Sequence, residues 1–195
     1  LYLVRSAGSR AKARKLEPGA KLHFGCGPNL KPGWVNVDGK PGADLLLDLA
    51  RPLPMPSDVA AAAYSEHFLE HLDYPEPAGR FVRECFRVLR PGGLFSVGVP
   101  DTEWALRSYA GGHDYLRACE EHRWHPAWCR TELEHINYHF RQDGEHRFAY
   151  DLDTLTRLLS EAGFVEIRQR DFDPGLDHPY RAVGTLYLDA RKPGG

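Results

Sequence analysis

The sequence predicts an α/β fold: a mostly parallel sheet with helices on both faces. Three observations predict it. Short apolar runs recur along the 195 residues, amphipathic stretches with helical spacing separate some of them, and glycines follow the first run directly while an acid ends the second.

The predicted strands are KLHF (21–24), WVNV (34–37), ADLLL (43–47), VAAAAY (59–64), LFSVGV (94–99), FVEIRQR (164–170) and AVGTLYLDA (182–190). EPAGRFVRECFRVLR sets Phe81, Val82, Cys85, Phe86, Val88 and Leu89 at helical spacing, and Pro91-Gly92-Gly93 is a stop signal. DLDTLTRLLSEAGF repeats the pattern with Leu152, Leu155, Leu158 and Leu159; Asp151 or Asp153 can cap its start and Gly163 its end. No helical pattern joins the last two strands, so they pair antiparallel at one edge. Residues 1–20 read as a basic, partly helical lead-in, and 21–195 as one domain.

Segment 101–150 stands apart. It holds six of the ten histidines and three of the four tryptophans, and it reads as an inserted lid over the carboxyl edge of the sheet, where open α/β folds bind ligands.

Composition excludes several classes. A formal charge of -2, with basic and acidic residues interleaved, gives no electrostatic footprint for nucleic acid, so a small molecule is the expected partner. No apolar run approaches the ~20 residues that cross a bilayer, and no membrane role is expected. Cys26, Cys85, Cys119 and Cys129 form no CxxC pair, which points to a reducing cytoplasm.

In a parallel sheet the turn after the first strand offers backbone N–H groups to a ligand, and glycine permits close approach; Gly25 and Gly27 fit that role. Asp38, ending the next run, is placed to accept hydrogen bonds from ribose hydroxyls. A dinucleotide fits poorly: Leu30 stands where the third glycine of GxGxxG would be, and Asp38 follows Gly27 by only 11 residues. Nine residues (25–33) join the first two strands, so the crossover must be a single turn or irregular loop. A nucleoside without a pyrophosphate has less need of a helix there, and S-adenosylmethionine has that shape.

LHFGCGPNLKPGWVNVD, ADLLLDLARPLPMP, YSEHFLEHL, RECFRVLRPGGLFSVGVPD and LLSEAGF, in this order, resemble the class I S-adenosylmethionine-dependent methyltransferases, most of all a small type-11-like bacterial group. The resemblance spans roughly 21–190 and implies a Rossmann-like sheet in the order 3-2-1-4-5-7-6. It assigns Gly25, Cys26 and Gly27 to the methionine moiety, Asp38 to the ribose, Asp48 and Leu49 to the adenine, and Ser65, Glu66 and His67 to the remaining face. His23 departs from the pattern, standing where many such enzymes carry an acid, so the cofactor's amino group is expected to be held differently.

His67 and His71, four apart, are expected on one face of a helix leaving the fourth strand. With Asp101 and His139 they are the candidate general bases. His139, His146 and Tyr150 are the candidate acceptor contacts, because RQDGEHRFAYD returns the chain toward the sheet. Cys119, His122, His125 and Cys129 are metal-ligand types, yet Pro126 interrupts any continuous helix and no known zinc spacing is present. The segment is expected to be a partly aromatic lid without metal.

The reading is methyl transfer to a small molecule, a sugar or natural-product hydroxyl suiting the histidine- and aromatic-rich lid. The alternative is an S-adenosylmethionine-binding pathway partner or scaffold without transfer. A short-chain dehydrogenase is excluded, since no Tyr-x-x-x-Lys occurs.

Overall fold

The computed structural model describes residues 2–194, with side chains from residue 7 onward. Seven strands form one sheet: β1 (Ala20–Phe24), β2 (Val35–Asp38), β3 (Leu45–Leu46), β4 (Ala60–Glu66), β5 (Leu89–Pro100), β6 (Val165–Arg170) and β7 (Thr185–Arg191). Their order is β3-β2-β1-β4-β5-β7-β6, as the resemblance implies. β1 to β5 run parallel, and β7 lies antiparallel to both β5 and β6. Leu22, Phe24, Ala63, Phe95 and Val97 are buried in the central strands, because helices cover both faces.

The link from β1 to β2 carries no helix. Its turns close through Asn29 N–H to the Cys26 carbonyl and Trp34 N–H to the Lys31 carbonyl.

Helix α1 (Tyr2–Ala13) is the lead-in. It docks on the edge strand: Ala13 is fully buried, and the Ser9 hydroxyl accepts a hydrogen bond from Leu46 N at 2.9 Å. Helix α2 (Glu76–Val88) buries Ala78, Phe81, Val82, Cys85 and Val88 on one face. It passes straight into β5, which begins at Leu89 rather than Leu94. Leu89 pairs with Ala60, and a register shift absorbs the Pro-Gly-Gly turn before Leu94 pairs with Ala62.

Between β5 and the last helix lies a cap of three helices, α3 (Thr102–Gly111), α4 (Asp114–His122) and α5 (Glu132–Arg141). Asp101 caps α3 by accepting from Trp104 N, and Thr131 with Glu134 forms a capping box on α5. Ala105, Tyr115, Cys119 and Ile136 form a small core of their own, flanked by Trp104 and Trp124. Asp151 then caps α6 (Leu152–Glu161), whose Leu155, Leu158 and Leu159 join the main core. Among the described residues, no helix is long and apolar enough to cross a membrane.

Candidate active site

Two cavities open at the carboxyl edge of the parallel strands. The larger is a cleft of about 500 Å³ running along the ends of β1, β2 and β4. The smaller, about 210 Å³, lies between the sheet edge and the cap. His67, Gln142 and Arg181 border both.

The cleft gathers Gly25, Cys26, Gly27, Asp38, Asp48, Leu49, Glu66 and His67, all expected from the sequence. Ser65 is not among its walls; it sits within β4, between Phe24 and Val97 of the flanking strands, with a buried hydroxyl that finds no partner.

The glycine turn works differently from the expectation. Gly25 N and Cys26 N both point to the Val37 carbonyl, at 2.9 and 3.4 Å, and Gly27 N donates to Asp38 Oδ2 at 2.8 Å. Strand β2 therefore takes up the three N–H groups. The glycines serve shape instead: Gly25 has φ +67°, and a Cβ there would lie 2.4 Å from Phe68. Asp38 Oδ1 accepts from Lys40 N at 2.7 Å, which fixes the carboxylate while leaving each oxygen a second lone pair.

His23 forms part of the cleft wall. Asn36 Oδ1 accepts from Lys31 N at 2.8 Å, so the amide oxygen faces this way, and His23 Nδ1, 3.1 Å from the same oxygen, must carry the proton. Burial pushes the imidazole down to about 4. It is therefore neutral near pH 7, with Nε2 an acceptor.

His67 has φ +49° and sets Nε2 2.8 Å from Thr185 Oγ1. The segment after it is a 3-10 turn, Leu69–His71, too short for the helix face expected to carry both histidines. They flank Glu70 instead: His67 Nδ1 is 3.7 Å and His71 Nε2 4.0 Å from Glu70 Oε1. Glu70 is 2% exposed and neither oxygen has a hydrogen-bond partner, so burial raises its carboxyl to about 8. His71 Nδ1 donates to the Glu145 carbonyl at 3.0 Å, tying the turn to the end of the cap.

The cap supplies Tyr115, Trp124, His125, Tyr138, His139 and His146 to the smaller chamber. Both nitrogens of His139 are engaged, Nε2 with Thr102 Oγ1 at 3.0 Å and Nδ1 with the Tyr115 hydroxyl at 2.7 Å. His146 Nδ1 donates to the His139 carbonyl at 2.7 Å. Asp101 and Tyr150 border neither cavity: the first is spent on the α3 cap, and the second packs in the main core beside Tyr74 and Phe148.

Arg181 is the residue that sequence reasoning missed. It lies in the loop between β6 and β7, and the antiparallel return of β7 carries it to the meeting point of the cavities. Among the described residues its guanidinium makes no hydrogen bond, and burial lowers its pKa while Glu66 opposes the shift. An arginine in a stretch with no periodic pattern was the only signal.

The cleft fits S-adenosylmethionine on its own chemistry. Asp38 offers lone pairs to a ribose diol, Leu49 and Ala50 an apolar slot, and His23, Glu66 and Arg181 an acceptor and both charges for an amino-acid zwitterion.

A family model described as a methyltransferase domain matches residues 4–169. No curated protein matches the sequence. Among solved structures, a SAM-dependent methyltransferase from Archaeoglobus fulgidus is similar at TM-score 0.57 and 14% identity, over 97% of this chain and 93% of that one. A possible histamine N-methyltransferase from Thermotoga maritima aligns at TM-score 0.54 and 18% identity, over 98% and 92%. A possible exported protein from Bordetella parapertussis aligns at TM-score 0.55 and 18% identity, over 98% and 68%. At these identities the neighbours share the fold, and the family match carries the assignment: the chain belongs to the methyltransferase-domain family and is a class I S-adenosylmethionine-dependent methyltransferase.

Proposed function

We propose that the protein methylates a hydroxyl group of a small acceptor, a sugar or polyhydroxylated natural product, held in the chamber under the cap. The observation that carries this reading is the meeting of the two cavities at His67. A donor in the cleft and an acceptor in the chamber would face each other there, close and shielded from water.

Bound S-adenosylmethionine supplies an activated methyl group with a neutral thioether as leaving group. The chain's own residues orient and deprotonate. Asp38 would hold the ribose, His23 Nε2 would accept from the ammonium in place of the usual acid, and Arg181 would take the carboxylate. A hydroxyl nucleophile must lose a proton as its oxygen bonds to carbon, and His67 Nε2, now 2.8 Å from Thr185 Oγ1, is the base. Glu70 stands behind it, Oε1 3.7 Å from His67 Nδ1, and can favour the imidazolium that forms once its own carboxyl ionises, toward pH 8.

The chamber suits a polar ring. Its volume of about 210 Å³ holds one ring rather than a polymer, and tyrosine, tryptophan and histidine walls offer both stacking and hydrogen bonds. All four cysteines are buried and free, which supports a reducing cytoplasm.

The test pairs an acceptor panel, read by mass for a gain of one methyl group, with His146→Ala. That variant should raise the acceptor KM severalfold while S-adenosylhomocysteine affinity stays unchanged by calorimetry. Equal loss of both would place His146 in support of the cofactor instead. Loss of neither would remove it from the acceptor site.

A further inference from the structure

The cap contains a cluster that the methyl-transfer reading does not use. Cys119 on α4, His125 in the following turn and His135 on α5 bring one ligand atom each to within 4.8 Å of one another. The expectation of no metal rests on Pro126 interrupting any continuous helix and on the absence of a known zinc spacing. The helix ends at His122, before the proline: Arg123 caps it at φ +51°, Trp124 N donates back to the Cys119 carbonyl, and this reversal brings His125 beside Cys119 and against α5.

The two imidazoles are close. His125 Nδ1 and His135 Nδ1 are 2.9 Å apart, with the rings stacked at 5.0 Å. Cys119 and His135 are buried, at 1% and 3% exposure. The facing atoms are the two Nδ1 nitrogens, while His135 Nε2, on the far side of the ring, is buried with no hydrogen-bond partner. Cys129 is nearby in sequence, but its thiol points to the Glu134 carbonyl at 3.9 Å and is not counted.

We propose that the cap binds a zinc-class divalent ion through Cys119, His125 and His135. One thiolate and two imidazoles form a borderline-soft donor set that suits zinc and disfavours magnesium or calcium. Tetrahedral zinc, at about 2.1 Å to nitrogen and 2.3 Å to sulfur, places its ligand atoms roughly 3.3–3.6 Å apart. The 2.9 Å pair would open slightly and the sulfur draw in, shifts that side-chain rotation supplies. Three protein ligands leave a fourth position for water.

The fold gives such an ion a use. The cap's own core has only Ala105, Tyr115, Cys119 and Ile136 buried, little apolar surface for three helices. An ion at this cluster would staple α4, the turn and α5 together. His125 also lines the smaller chamber, so the same ion would fix one wall of the acceptor site. This inference does not depend on the identity of the acceptor.

The experiment uses untagged full-length protein purified without chelator, with metal content measured by plasma mass spectrometry. About one zinc per chain is expected, lost in both Cys119→Ser and His135→Asn. The metal-free protein titrated with cobalt(II) should show a thiolate-to-cobalt charge-transfer band, absent in Cys119→Ser. Chelator should lower the melting temperature of the parent protein and leave Cys119→Ser alone. If Cys119→Ser fails to fold, the cobalt titrations of the parent and His135→Asn decide. A protein that binds neither zinc nor cobalt stoichiometrically, or variants that retain the metal, would overturn the site.

Discussion

Replacing Glu70 with glutamine should stabilise the protein at neutral and basic pH while slowing it near and above pH 8. The carboxyl is 2% exposed with neither oxygen hydrogen-bonded, and burial raises it from 4.5 to about 8. Glu66 adds a smaller upward push, and the residue's own backbone opposes it. His67 and His71 flank one oxygen from the turn, while the segment ending the cap brings Arg147, His146 and Tyr150 to the surroundings. Below about pH 4.5 the folded and unfolded chains both hold the proton, and the site costs nothing in ionisation. Between 4.5 and about 8 the folded chain keeps a proton that the unfolded chain releases, so stability falls as pH rises. At 1.36 kcal/mol per pKa unit the full penalty approaches about 5 kcal/mol, most of which develops between roughly pH 5 and pH 8.

Glutamine has nearly the same shape and cannot ionise. Urea unfolding of parent and Glu70→Gln at both pH values should show midpoints close together at the lower and well separated at the higher, the variant being the more stable, with the slope m unchanged. Near and above pH 8, where Glu70 ionises, the transfer rate of the variant should fall below that of the parent, because His67 loses the carboxylate behind Nδ1. Parallel stability curves would refute the reasoning: Glu70 would then be reached by water or paired with a cation, and its support of His67 would go with it. Such an opposition of stability and activity is the pattern expected where a group is kept for chemistry.

Asp38→Ala should weaken S-adenosylhomocysteine binding by about 1.5–3 kcal/mol, the scale of a hydrogen bond to a charged group; calorimetry showing unchanged affinity would remove Asp38 from the ribose site. His23→Leu should weaken S-adenosylhomocysteine severalfold but leave 5'-methylthioadenosine, which has no ammonium, nearly unaffected. Equal losses on the two ligands would mean that His23 shapes the cleft without contacting the amino group.

The strands were legible because burial on both faces forces near-continuous apolar runs such as VAAAAY and LFSVGV. The place of Asp38 in the cleft was legible because clefts of a parallel sheet form where its strands end. Other features depend on three-dimensional returns that leave no local pattern. The three N–H groups of the glycine turn were expected to face a ligand, yet Val37 and Asp38 on the neighbouring strand reach them first. EHFLEHL reads as a helical repeat, but His67 adopts positive φ and the chain makes only a 3-10 turn, so the two histidines meet around Glu70.

The cap carries the same lesson. Pro126 predicts that Cys119, His122, His125 and Cys129 do not share one helix face. The helix stops earlier, at the left-handed Arg123, and that reversal, with α5 returning alongside, sets His125 and His135 nitrogens 2.9 Å apart beside a buried thiol. Periodicity tests only whether residues share one element. The residues proposed here to carry the chemistry, His67 with Glu70, Arg181 and the cap cluster, meet across turns and between elements. The sheet that brings them together follows from hydrophobic pattern, whereas their contacts follow from turn conformation, which sequence periodicity does not encode.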